Sequence, residues 1–276
     1  AVLVLPALAI PTGRPAPGAV WMTVLDVGQG LATVVRTHGH TLVYDTGPRF
    51  SARFDAGSAV LVPFLRQRGI GRVDTLIVSN DDNDHAGGAA ALLAALPVGK
   101  VLSGTPEALP DLSAAACHAP QSWVWDEVRF RILHPAPGTH PTGNDASCVL
   151  RIEGAGGGTF LLTGDIETPV ERRLLADRRA QLHSTVLIAP HHGSLTSSTV
   201  PFVVAAAPRY VLFSTGYHNR YGFPKPQVQA RYRDVGAQMI DTARAGAIQV
   251  RLKSDGTLRP PQGWRARAAH YWNDRF

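Results

Sequence analysis

A chain of 276 residues, 45% hydrophobic and 17% charged, has the composition of a globular protein and room for one large domain or two small ones, which excludes a disordered chain. Lysine and arginine outnumber aspartate and glutamate by 27 to 21, a formal charge of +6 that suits an anionic partner such as nucleic acid or an acidic membrane surface, although an arginine-rich composition alone would also produce it. Two cysteines, Cys117 and Cys148, are too few for a disulfide scaffold and stand in no thiolate zinc pattern. Buried free thiols are expected ahead of a single disulfide, which would need an oxidising compartment.

The chain opens on AVLVLPALAI, apolar but too short to span a bilayer, and a Pro/Gly-rich linker follows over 11–18. These features read as the tail of a longer hydrophobic segment joined to a soluble domain, with residues 1–20 as tail and linker and 21–276 as the domain. WMTVLDV, LATVVR and TLVYD form an antiparallel meander of three strands. SAVLVPFLRQRG has helical spacing and stops on Gly69. DTLIVS is a buried strand, AGGAAALLAALP a helix and KVLSG another strand. Residues 104–122 are irregular, WVWDEVRFRIL alternates as a strand does, and HPAPGTHPTGNDA is a loop. SCVLRIE and GTFLLTG make a hairpin across GAGG. After it helices and strands alternate: ETPVERRLLADRR, TVLIAP, PFVVAAAP, RYVLFS, PQVQARYRDVG and QMIDT, closed by the strand AIQVRLK. Two mixed sheets packed face to face with helices outside would satisfy both halves.

The chemistry concentrates in VSNDDNDHAGG, residues 78–88, between a buried strand and a helix. Asn80, Asp82, Asp84 and His85 project from one tight loop, and such groups repel one another unless a cation sits among them. A solvated acidic turn capping a helix would explain that cluster alone. Other strand ends favour the cation: Asp165 in FLLTGDIE, His191 and His192 in IAPHHGSLTSS, and Asp45 in VYDTG. In open α/β layers ligands collect at strand ends.

These segments resemble the metallo-β-lactamase superfamily, and NDDNDHAGG looks like its HxHxDH-type signature. The order LDVGQGLATVV, YDTG, VSNDDNDHAGG, NDASCVL, FLLTGDIE, APHHGSLTSS and STGYHNRYGFPKP, across 21–253, resembles the C-terminal domain of the ComEC competence proteins, the DNA-uptake channel. The resemblance implies an αββα sandwich with metal bound in the cleft between the sheets. It implies a nuclease acting on the strand of incoming DNA that is not imported, at the outer face of the cytoplasmic membrane, tethered to the channel portion of a longer chain and working beside other DNA-uptake proteins. Asp84 and His85 align with the DH of the signature, Asp165 with the bridging aspartate, and His191 or His192 with the late histidine. Asp84, His85 and Asp165 are therefore the expected catalytic core. The chain departs from the pattern at Asn80, where the first histidine is expected, at Asp82, where many members carry the second, and at Phe223 and Lys225, where histidines are common.

An oxygen-rich donor set without thiolate favours Mn²⁺ over Zn²⁺ or Mg²⁺. One firm site (Asp84, His85, Asp165, His192) and one weaker site (Asn80, Asp82, Asp165) are expected, so one or two ions. Ser194, Thr196, Ser197 and Ser198 could donate to substrate phosphates or simply cap the next helix. The loop 214–226, with Tyr217, His218, Asn219, Arg220, Tyr221, Phe223 and Lys225, interleaves basic and aromatic residues as single-stranded nucleic-acid binders do, or packs as a structural loop. Arg231, Arg233, Arg244, Arg251, Arg265 and Arg267 could extend a basic track. Three functions follow: a metal-dependent DNase, a degenerate module that binds DNA without cutting it, and a small-molecule hydrolase of the same fold. Positive charge and the HHGS–NRYG combination count against the last, and Asn80 and Phe223 keep the second open.

Overall fold

Short apolar runs bounded by turn residues set the strands, and long stretches without alternation mark those buried on both faces. The computed structural model describes residues 13–267; the apolar stretch 1–10, expected as the tail of a membrane segment, lies outside them. In chain order the strands are β1 (Val20–Val24), β2 (Ala32–Arg36), β3 (Thr41–Thr46), β4 (Arg49–Ser51), β5 (Phe54–Asp55), β6 (Val73–Val78), β7 (Val98–Ser103), β8 (Ala115–Ala116) and β9 (Ser122–Trp125). They continue with β10 (Val128–His134), β11 (Val149–Glu153), β12 (Thr159–Leu162), β13 (Val186–Ile188), β14 (Tyr210–Phe213), β15 (Gln238–Asp241), β16 (Ile248–Leu252) and β17 (Leu258–Gly263). Among the described residues these form an eight-stranded sheet, β17-β16-β1-β2-β3-β6-β7-β8, a seven-stranded sheet, β15-β14-β13-β12-β11-β10-β9, and the small hairpin β4-β5.

The two sheets face each other across one apolar layer, to which Met22, Val35 and Tyr44 contribute from the first sheet and Phe130, Leu150, Phe160 and Ile188 from the second. A second layer lies under the helices Thr168–Leu182, Val200–Ala206 and Pro226–Asp234, and a third under Val62–Gln67 and Ala89–Ala95. This is the αββα sandwich the sequence led us to expect. The meander β1-β2-β3 and the hairpin β11-β12 are antiparallel as read. Within the first sheet β3, β6 and β7 run parallel, and within the second β12 to β15 do. Parallel strands end together, so the loops after β3, β6, β12, β13 and β14 are where groups from distant parts of the chain can meet.

Several elements differ from expectation. WVWDEVRFRIL is a hairpin, β9 and β10, turning on Asp126 and Glu127, which take φ of 50° and 67° without the Gly or Asn such a turn usually carries. Strand β17 contains two prolines, tolerated because it is an edge strand. Cys117 and Cys148 are buried and bonded to each other, Cα atoms 6.1 Å apart, which corrects the expectation of free thiols. Residues 13–18 of the stretch read as linker touch the fold: the Gly18 amide donates to the Asp126 carbonyl at 2.7 Å, and His38 Nδ1 lies 3.0 Å from the Pro15 carbonyl. Arg231 and Arg265 do not form a basic track; Arg231 donates to the Ser197 and Ser198 carbonyls and Arg265 pairs with Asp26 at 2.7 Å. No helix among the described residues is long and apolar enough to cross a membrane.

Asp126 stitches the sheets together. Its carboxylate accepts from Thr37 Oγ1 at 2.6 Å and the Gly39 amide at 2.8 Å, and lies 3.0 Å from His40 Nδ1, all in the turn between β2 and β3. Against the opposing effect of burial, His40, Thr37 and Gly39 hold this carboxyl down at about 2. A depressed carboxyl contributes stability above its ordinary value near 4, lost as pH falls through about 2. Asp126→Asn is expected to lower stability by about 1 kcal/mol at pH 7, kept small by solvent exposure, and to match the wild type below about pH 2. Urea melts at pH 7 and pH 2 check this; an equal gap at both would contradict it.

Candidate metal centre

Each donor reaches the centre from a strand end. Strand β6 delivers residues 79–82 and the short helix Asn83–Ala86 that carries Asp84 and His85, β12 delivers Asp165 and β13 delivers His191 and His192. Glycine is required at two close approaches: Gly30, φ 143°, where a Cβ would lie 2.6 Å from the Asp84 carbonyl, and Gly164, φ 54°, where it would lie 2.8 Å from Ser147 Cβ. Donor atoms of Asp84, His85, Asp165 and His192 all lie within 4.8 Å of one another. His85 Nε2 stands 3.1 Å from Asp165 Oδ1, and His192 Nε2 stands 3.2 Å from Asp84 Oδ2 and 3.5 Å from Asp165 Oδ1.

The outer atoms fix which nitrogen faces inward. His192 Nδ1 lies 2.8 Å from the Ser214 carbonyl, which only accepts, so Nδ1 carries the hydrogen and Nε2 presents a lone pair. His85 Nδ1 lies 2.8 Å from Asp45 Oδ2, with the same consequence. Asp45 is itself held by the Ser79 amide at 2.6 Å and Ser79 Oγ at 2.8 Å. Both inward nitrogens are buried and without a hydrogen-bond partner. Two orphaned imidazole nitrogens facing two carboxylates are the donor set of a divalent cation, and these residues fit one. With protons alone to balance the carboxylates, Asp165 and Asp45 raise His85 well above its ordinary value although burial works to lower it. His192 is likewise raised by Asp165 and Asp84 against burial. Asp165, which burial alone would raise, is pushed far below the usual carboxylate range by His192 and His85.

The remaining expected residues sit elsewhere. Of the weaker second set, Asp165 stands in the cluster. Asn80 donates to Ser147 Oγ at 3.0 Å and accepts from the Asp82 amide at 2.9 Å, so its amide braces the loop. Asp82 is exposed at the rim, and its carboxyl is raised by partial desolvation and by Asp84. Of the two late histidines it is His192 that enters the cluster. His191 lies alongside, with Nδ1 3.2 Å from Glu167 and 3.1 Å from Thr196 Oγ1, and Nε2 3.7 Å from Asp165 Oδ2. Both adopt left-handed backbone, φ 48° and 53°, which turns adjacent side chains in different directions.

Ser194 and Ser197 are buried with partners inside their own loop, Ser194 Oγ beside Thr196 Oγ1 and Ser197 Oγ donating to the Pro190 carbonyl. Asn219 spends its amide on Gly216 and Phe223 and shapes its loop. Tyr217, Arg220 and Tyr221 are exposed on that loop, with the Arg220 guanidinium 4.9 Å over the Tyr221 ring. Lys225 donates to the Tyr221 carbonyl. Phe223 packs edge-on against His191, and the Lys225 amide donates to the Gly193 carbonyl, so the loop leans on the HHG turn. Two supporting residues had no assigned role in the sequence. Asp45 carried a signal, an aspartate closing an apolar strand. Ser147, which accepts from both Asn80 and the Asp165 amide, carried none.

The fold matches solved structures: that of the metallo-beta-lactamase fold protein YhfI from Bacillus subtilis aligns with a TM-score of 0.53 and 14% identity over 83% of this chain and 99% of that one. The metallo-beta-lactamase superfamily model matches residues 25–218, and the chain belongs to that superfamily. It is 40% identical to "Competence protein ComA" of Neisseria gonorrhoeae over 235 residues, 85% of this chain and 33% of that protein. It is 28% identical to "ComE operon protein 3" of Bacillus subtilis over 256 residues, 84% of this chain and 33% of that protein. The chain thus spans about a third of the length of these curated relatives.

Calorimetric titration with a divalent ion should give saturable binding that Asp165→Ala abolishes. Asp45→Asn, which touches no metal, should weaken affinity by about 10–100-fold by releasing the His85 ring. Unchanged affinity in Asp45→Asn would contradict the orienting role.

Proposed function

We infer that this chain is the metal-dependent nuclease domain of a DNA-uptake protein, hydrolysing the strand of incoming DNA that is not imported. The cluster of Asp84, His85, Asp165 and His192 carries the reading, because its two inward imidazole nitrogens lack hydrogen-bond partners and face two carboxylates. A divalent ion held there supplies a Lewis acid for phosphodiester oxygens and an activated water. The protein's own part is to hold Asp84 and Asp165 ionised and to aim His85 and His192 through Asp45 and the Ser214 carbonyl. Exposed Tyr217, Arg220 and Tyr221 add aromatic and cationic surface beside the centre, with Tyr217 stacked on His218, Tyr221 on Phe223 and the Arg220 guanidinium over the Tyr221 ring. The relatives' competence names support DNA as the substrate. In this reading Mn²⁺ is the working ion, since half of the set is carboxylate and no thiolate joins it. The domain acts at the outer face of the cytoplasmic membrane, joined to a channel portion of a longer chain, with the apolar residues 1–10 as part of the tether.

A second reading, a module that grips DNA without cutting it, draws on Asn80 and Phe223. The first is engaged in loop bonds and the second packs against His191, so neither supplies the histidine other members place there. Incubation of the purified chain with labelled single- and double-stranded DNA separates the two. Cleavage with Mn²⁺ exceeding that with Zn²⁺, and falling more than about 100-fold in Asp84→Ala and His85→Ala, is expected, a loss beyond that of outer-shell changes. Retention of DNA without cleavage under either ion would favour the gripping module.

A further inference from the structure

Between β3 and the first helix the chain forms the hairpin β4-β5, with the sequence RFSARFD over residues 49–55. It is clipped to the metal-site loop. Asn83, next to the ligand Asp84, accepts from the Arg49 amide at 3.2 Å and donates to the Arg49 carbonyl at 3.1 Å. On its other flank Phe50 Cζ lies 3.9 Å from where Gly28 would carry a Cβ. The next residue, Gln29, accepts from the amide of Gly216, which precedes Tyr217. The hairpin, the Gly28–Gln29 turn and the aromatic loop at 217–223 are therefore consecutive parts of one rim.

On this hairpin Phe50 and Phe54 are 54% and 52% exposed, ring centroids 5.2 Å apart and planes 29° from parallel. Two large aromatic rings on a short two-stranded ribbon contribute nothing to the core, and a paired apolar exposure of this kind marks a binding surface. Each is preceded by an exposed arginine, Arg49 and Arg53, neither with a carboxylate partner among the described residues. Stacked aromatic faces beside unpaired guanidinium groups match bases and phosphates together, and a duplex hides the base faces that such rings require. We propose that Phe50 and Phe54 form a base-stacking platform that holds unpaired nucleic acid at the metal centre, with Arg49 and Arg53 on its phosphates. The proposal rests on the reading of the centre as acting on DNA, and it names the form of DNA taken: a single strand gripped by its bases.

The test compares two strands of about twelve nucleotides, one with bases and one made of abasic sites on the same backbone, by fluorescence anisotropy of the purified chain in chelator. The wild type is expected to prefer the base-bearing strand by about tenfold or more. Phe50→Ala/Phe54→Ala is expected to lose that preference, binding both strands about as the wild type binds the abasic one, and Phe50→Trp/Phe54→Trp to restore it. A wild type that holds both strands equally, or an alanine variant that keeps the preference, overturns the platform, leaves the DNA reading standing and assigns the two rings to a protein contact. A wild type that retains neither strand overturns both.

Discussion

Two carboxylates and two imidazoles converge at a point that His85, Asp165 and His192 reach only by being buried, and burial without a counter-charge is what this arrangement cannot sustain. Each neighbour addresses that constraint. Asp45 and the Ser214 carbonyl take the outer nitrogens and leave the inner ones with lone pairs and no partner. Ser147 ties the Asn80 loop to the Asp165 backbone, so the donors from β6 and β12 are fixed relative to each other. A cation among the four donors would meet the carboxylate charge that otherwise pulls protons onto His85 and His192.

The sandwich makes this convergence geometrically inexpensive. Parallel strands in both sheets end on one edge, so residues as far apart in sequence as Asp84 and His192 meet without long loops. Glycine at 30 and 164 lets the backbones of neighbouring loops close to distances that a side chain would block. Around the centre the rim changes character, from buried histidines and carboxylates to exposed Phe50, Phe54, Tyr217, Arg220 and Tyr221, a surface with stacking faces and positive charge in place of a closed apolar pocket.

Much of this was legible in the residue order. Apolar runs ending in Asp or His marked the strand ends of β6, β12 and β13 as favouring a cation, and the family resemblance assigned Asp84, His85, Asp165 and the HH pair to one centre. What was not legible depends on backbone chirality and on hydrogen bonds that close through space. His191 and His192 are identical in kind, and only through-space contacts separate them: the Ser214 carbonyl takes His192 Nδ1, while Glu167 and Thr196 take His191 Nδ1. Asn80 looked like a ligand because its spacing is that of one; its role in bracing the loop depends on Ser147, 67 residues away. The pairing of Cys117 with Cys148 brings an edge strand of one sheet to the start of a strand in the other, which spacing does not encode. The hairpin β4-β5 and strand β17 escaped because the first is too short to show alternation and the second carries two prolines.

The most direct test of the account is a crystal structure of the chain soaked in Mn²⁺, with an anomalous difference map at the manganese edge. A peak bonded to His85 Nε2, His192 Nε2 and Asp165, with Asp84 completing the set, is expected. A map with no peak among these four residues, at a manganese concentration that saturates binding in solution, would contradict it.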